Sequence, residues 1–243
     1  MSILLMLGSA PNVVGARRFP RAAFDQIATI NNAWRVRPDW DMLIHPEDFP
    51  AVRRPTTMTP AQQIITADDF VPAQNAYGGF VYAGGTMAFT ASYWALHALR
   101  PTVIAYLGCD MVYPTGIATH FYGTGVPDPL RRDVTLRSLE AKSARLMALA
   151  AGQGCALVNL SPDPSRLVFS RARLADLPHV GPQPLDTAAL TQALQAEADL
   201  GYLVPSGRYW EEEARFDPIA LDRIDALWLK TAVRSDPLCE KAA

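Results

Sequence analysis

Cysteine is scarce in this chain, and its scarcity excludes two architectures. Cys109, Cys155 and Cys239 are the only three in 243 residues, they lie far apart, and no CxxC pair occurs. A zinc-ligating fold and a disulfide framework both need grouped thiols, so neither is expected, and a reduced, cytoplasmic setting fits best. An excess of charge is lacking too, since 22 basic and 24 acidic residues are well mixed, for a formal net charge of −2. There is no basic stripe for a nucleic-acid backbone and no polybasic membrane patch, so nucleic acid is not an expected partner. Long apolar runs are also missing. Ile3 to Leu7 has no basic leader and is too short for a signal-peptide core, and no stretch approaches the length of a membrane span. Serine-hydrolase GxSxG, zincin HExxH, protein-kinase, P-loop and GxGxxG signatures are absent, as are internal repeats and low-complexity tracts.

What is present is a chain of 49% hydrophobic residues, long enough to bury a substantial core. Ile3 to Leu7 reads as a buried strand ended by the turn cluster Gly8-Ser9-Ala10-Pro11-Asn12. Phe24 to Ile30 reads as a second strand ending at Asn31-Asn32, and Trp40 to Ile44 as a third ending at His45. Between Pro50 and Gly78 the Pro, Thr and Gln content predicts irregular structure around one strand at Gln63 to Thr66. Thr86 to Leu99 is apolar nearly all round and predicts a covered helix, followed by a central strand at Thr102 to Leu107. Asp133 to Ala151 has helical leucine spacing with Asp133 as N-cap, and strand Ala156 to Leu160 follows. This alternation predicts an α/β, doubly wound, mostly parallel sheet over residues 1–168. Residues 169–243 then form a helical extension packed on it, with helices near Asp186 to Ala198, Ser206 to Ala214 and Pro218 to Val233. The extension is expected to be a lid, a homo-oligomer surface or a packing layer.

Loops at the carboxyl ends of parallel strands are where ligands bind in such sheets, and here they are rich in chemistry. The backbone of Gly8 and the side chains of Ser9 and Asn12 suit either a phosphate cradle or a plain strand-to-helix turn. Asn31 and Asn32 suit a base or ribose, or a tight turn. Gly84-Gly85-Thr86 suits an anion at a helix start, or an N-cap with glycines for close packing. Asp110 closes a buried strand and suits a ribose hydroxyl, an amine or a metal-linked phosphate, although a single Asp makes a thin metal site. Of the four histidines, His120 is the first acid/base candidate and His45 the second. Tyr113 and Tyr122 suit either a leaving phosphate or packing of the loop.

The ordered set of these segments resembles a family group. Leu7-Gly8-Ser9-Ala10-Pro11-Asn12 resembles its G-x-G-P-S turn, Gly84-Gly85-Thr86 its G-G-S helix start, and Gly108-Cys109-Asp110-Met111-Val112-Tyr113 its G-x-D-h-x-Y loop. These occur in bacterial sialyltransferase-like proteins, in motility accessory factors that glycosylate flagellin, and in archaeal 6-hydroxymethylpterin diphosphokinases. Thr119-His120 resembles the T-H of the latter two, and Asn159-Leu160-Ser161-Pro162 the segment after the last core strand of the sialyltransferases, which brings Ser161 into the nucleotide set. His45 stands near the place of a sialyltransferase Asn, and Thr124 where the second His of their H-x-x-G-H segment would be. The resemblance implies a nucleotide-binding fold and a glycosyltransferase-like enzyme that takes a nucleotide-sugar, CMP-linked among the options, to a small-molecule or glycan acceptor without an essential metal. His120 would be the base, with Tyr113 and Tyr122 on the leaving phosphate. It equally implies an ATP-dependent diphosphotransferase acting on a pterin-like alcohol with Mg²⁺ held partly by Asp110, or a nucleotide-binding protein that has lost its base.

Overall fold

The computed structural model describes residues 1–113, 118–123 and 131–232. Thr124, Cys239 and Val233 lie outside them. Seven strands form one sheet in which every pairing is parallel: β1 (Ile3–Leu7), β2 (Gln26–Ile30), β3 (Met42–Ile44), β4 (Gln63–Ile65), β5 (Val103–Leu107), β6 (Ala156–Asn159) and β7 (Ser170–Arg171). Their order is β4-β3-β2-β1-β5-β6-β7, so the sheet is doubly wound about β1. The continuous apolar runs of the central strands follow from cover on both faces. Leu4, Met6, Ile30 and Ile44 pack towards one side with Phe89, Tyr93 and Leu146, while Leu5, Leu7, Ile27 and Leu43 pack towards the other with Val13, Phe24 and Trp40.

The helices are α1 (Ala67–Asn75), α2 (Phe80–Ala83), α3 (Met87–Ala98), α4 (Leu139–Gly152), α5 (Thr187–Leu200) and α6 (Pro218–Thr231). Helix α3 buries all eight residues from Phe89 to Leu96, as its all-round apolarity predicts. Four expectations are corrected. The stretch expected to be irregular carries α1, which starts where the Asp69 carboxylate accepts from the Thr66 amide at 2.9 Å. Pro72 inside α1 hides it from a propensity reading. The helix expected from Asp133 is divided, since Asp133 caps a short 3-10 turn, Val134–Leu136, and Ser138 caps α4. The segment expected to be helical near 206–214 is a 3-10 stretch, Tyr209–Arg215. Within the tail, β7 adds a strand too short and too exposed to leave an apolar pattern.

Helix α6 packs on α4, and α5 packs on α6, around Trp228, Leu221, Ala193 and Ala148. Charge is buried in that layer. Arg145 on α4 pairs with Glu197 on α5 at 2.7 Å and donates to the Tyr93 hydroxyl at 2.8 Å, while the Trp228 indole N–H donates to Glu197 at 2.7 Å. Beside it, Lys142 pairs with Asp225 at 2.8 Å. Among the described residues, no helix is long and apolar enough to cross a membrane.

Candidate functional site at the strand ends

Strand order reverses at β1, so the crevice between the carboxyl ends of β1 and β5 is the switch point of the sheet. Leu7 and Leu107 are in register there, and the chain leaves both strands through glycine. The Gly8 amide donates to the Leu107 carbonyl and the Ala10 amide to the Gly108 carbonyl, both at 2.9 Å. A Cβ on Gly8 would stand 2.2 Å from the Gly108 oxygen, and Gly108 itself has φ +80°. Glycine at position 8 therefore answers to the approach of two backbones, and its N–H is already paired. Replacing Gly8 with alanine is expected to cost about 1–3 kcal/mol through overpacking. Urea denaturation reads this as a lowered midpoint, and an unchanged midpoint would mean that the junction widens freely.

Past the glycines, three strand ends are tied by one polar network. The Asn12 side-chain amide lies 2.8 Å from an Asp110 oxygen, 2.7 Å from the Ser161 hydroxyl and 3.0 Å from an Asp163 oxygen. The other Asp110 oxygen accepts from the Asn159 side-chain N–H at 3.0 Å, and Asn159 Oδ1 accepts from the Ser161 amide at 2.9 Å. Arg171, on β7, holds this loop by donating to the carbonyls of Ser161 and Asp163. Asp110 is thus a positioning group: it is 3% exposed and both of its oxygens are occupied by asparagine N–H groups. Because carboxylates can only accept, the NH₂ end of Asn12 must face them, and its Oδ1 points elsewhere.

That oxygen is buried and has no partner among the described residues, and the same holds for Asn31 Oδ1, Asn32 Oδ1 and His45 Nε2. His45 Nδ1 lies 2.8 Å from the Pro46 carbonyl, which can only accept. Nδ1 therefore carries a proton, and Nε2 is the ring nitrogen left without a partner among the described residues. Asn31 holds φ +52°, a left-handed conformation that asparagine tolerates. The ends of β1, β2 and β3 thus hold four buried polar atoms without a partner among the described residues. Buried polar atoms without partners are costly, and a ligand that supplies the missing hydrogen bonds removes that cost.

Beside this edge stands the loop of Tyr113, His120 and Tyr122. The Phe121 amide donates to the Ser9 carbonyl at 3.0 Å, which fastens the loop to the turn after β1. His120 and Gly123 exchange backbone hydrogen bonds at 3.0 and 3.1 Å, closing a tight turn. The His120 ring stacks on Tyr122 at 5.0 Å, stands 6.2 Å from Tyr113, and has Nδ1 2.9 Å from the Thr119 hydroxyl. An imidazole between two phenols and next to the switch point has the parts needed for proton transfer and for charge stabilisation on a leaving group.

Gly85 and Thr86 serve the start of α3. The Gly85 amide donates to the Thr135 hydroxyl at 2.9 Å, and the Thr86 hydroxyl accepts from Phe89 as N-cap while reaching Met111, next to Asp110, at 3.9 Å to sulfur. Among the described residues there is no group of three or more His, Cys, Asp or Glu that could hold a metal ion. The two described cysteines are buried and free, and burial pushes both thiols up, that of Cys155 to about 12, which disfavours the nucleophilic thiolate. Asp163 and Arg171 escape a reading of the sequence. Asn159 enters it only as the first residue of the segment in the resemblance, with no role of its own, although it is the polar residue closing the apolar strand β6.

Fold and site define a Rossmann-like α/β protein with its polar residues gathered at the carboxyl edge of a parallel sheet. No family model, curated protein or solved structure matches the chain.

Proposed function

We propose that this protein is a nucleotide-dependent transferase of the glycosyltransferase type, with the nucleoside of a nucleotide-sugar lying across the ends of β1, β2 and β3. The observation that carries this reading is the set of four buried polar atoms without a partner among the described residues: Asn12 Oδ1, Asn31 Oδ1, Asn32 Oδ1 and His45 Nε2. A nucleoside supplies the complement, namely ribose hydroxyls and a base amino group. The donor phosphates then extend towards Tyr113 and Tyr122, and His120 removes the proton of the acceptor hydroxyl. The acceptor oxygen bonds to the anomeric carbon, the bond from that carbon to the phosphate oxygen breaks, and the nucleotide leaves with its electron pair.

Thermal denaturation with CMP, CDP, UDP, GDP, ADP and ATP, with and without Mg²⁺, tests the reading. A cytidine nucleotide is expected to stabilise the protein without metal, by about 2.7 kcal/mol at one hundred times its Kd. In Asn12→Ala, measured against its own unliganded midpoint, affinity should fall at least about tenfold, equivalent to ~1.4 kcal/mol. Stabilisation by none of the six overturns the proposal, and stabilisation by ATP only with Mg²⁺ replaces it with diphosphoryl transfer.

A further inference from the structure

A cavity of about 510 Å³ lies beside the strand-end site, bounded by the segment after β3, by α1, α2 and the start of α3, and by residues 206–210. It adjoins the proposed nucleotide edge through the chain: Pro46, Glu47 and Asp48 on its rim directly follow His45, and Gly85 on its wall precedes Thr86, whose hydroxyl reaches Met111. Its lining includes Val71, Phe80 and Met87, apolar side chains left half-buried where the core could have covered them. A cavity of this size with an apolar floor and a few polar groups is the usual form of a small-molecule site.

The remaining wall is held from within the protein. The Tyr209 hydroxyl donates to Asp133 at 2.6 Å, and Arg131 reaches the same hydroxyl at 3.2 Å. Burial acts to raise the Asp133 carboxyl, but hydrogen bonds from Tyr209, Thr135 and Arg131 outweigh it and hold the group below its ordinary range. Asp133 is thereby committed to the wall. Glu47 and Asp48 are different, because their side chains are exposed and make no ion pair among the described residues. Next to Tyr209, Trp210 lines the cavity while 61% exposed. An indole held at the mouth of a cavity offers a flat apolar face, and paired with hydrogen-bond acceptors that face suits a ring with one apolar side and several hydroxyls.

We infer that this cavity is the acceptor site and that it takes a neutral glycoside, with the sugar ring against Trp210, its hydroxyls donating to Glu47 and Asp48, and an apolar aglycone on Phe80 and Met87. Arg131 and Arg208 also line the cavity, but each is paired within the protein, with Asp133 at 2.9 Å and with Glu211 at 3.6 Å, so the two carboxylates at the rim select against an anionic sugar by like-charge repulsion. The assignment as acceptor site rests on the proposed transfer reaction, whereas the binding of a glycoside does not.

The test is a titration of the whole chain with phenyl β-D-glucopyranoside, phenyl β-D-galactopyranoside and phenyl β-D-glucuronide, followed by saturation-transfer NMR and calorimetry. The wild type is expected to bind at least one of the two neutral glycosides, with the glucuronide at least tenfold weaker. Trp210→Ala should weaken the neutral ligand at least tenfold, and the double variant Glu47→Gln, Asp48→Asn should abolish the discrimination against the glucuronide. All three variant positions are exposed, so stabilisation by nucleotide should persist and report that the fold is intact. Failure of both neutral glycosides to bind, or unchanged affinity in Trp210→Ala, overturns the inference. Glycoside binding in a protein that no nucleotide stabilises leaves the cavity as a glycoside site and removes the transferase reading. Nucleotide binding without glycoside binding removes this inference alone.

Discussion

Replacing His120 with alanine is expected to lower glycosyl transfer by about 10²–10⁴-fold, the usual contribution of a positioned general base. Stabilisation by nucleotide should be unchanged. The expectation follows from where the ring stands. It is stacked on Tyr122 and oriented by Thr119, on a turn fastened to Ser9, while the buried polar atoms without a partner among the described residues belong to Asn12, Asn31, Asn32 and His45 on other strand ends. In the proposed reaction, chemistry and nucleoside recognition therefore fall to different residues. Single-turnover assays beside thermal denaturation separate the two. Full transfer activity in the variant would remove His120 from the mechanism, and loss of nucleotide stabilisation would make it a binding residue.

The second large effect is on stability. Arg145→Ala is expected to cost about 3–5 kcal/mol, because it strands the Glu197 carboxylate in the interior. Glu197 is buried, and the variant leaves it the Trp228 indole N–H as a hydrogen-bond donor to its side chain. Replacing both members, as in Arg145→Met with Glu197→Leu, should restore much of the loss, since two desolvated charges give way to apolar volume. The exposed pair of Arg137 and Asp222, whose side chains are 36% and 50% accessible, provides the contrast. Arg137→Ala there should cost no more than ~1 kcal/mol. Urea denaturation of the three variants decides the matter. A loss below ~1 kcal/mol for Arg145→Ala would show that water reaches Glu197.

Much of the sheet is legible in the sequence because it is encoded locally. Ile3 to Leu7 and Val103 to Leu107 are apolar runs that stop at glycine, and burial on both faces leaves no other reading for them. The same locality explains the errors. Helix α1 carries Pro72 and β7 has two exposed residues, so neither shows a period, although the Thr66 and Asp69 cap of α1 is local. At the strand ends, the polar residues that follow apolar runs are visible in the sequence, as at Asn12, Asn31, Asn32, His45 and Asp110. What residue type leaves open is the role. Asp110 reads as a ligand-facing carboxylate in the sequence, whereas the structure places it between two asparagines, and Gly8 serves backbone against backbone.

By itself, then, the sequence determined that the chain forms a parallel α/β sheet with polar residues at the carboxyl ends of its strands, since hydrophobic runs and their terminators act over a few residues. Only the tertiary structure decided which of those residues meet. Asn12 finds Asp110 at a separation of 98 residues and Ser161 at 149, and Arg145 finds Glu197 at 52. Such pairings depend on strand order and on the side of the sheet each helix covers, and local spacing carries no record of either.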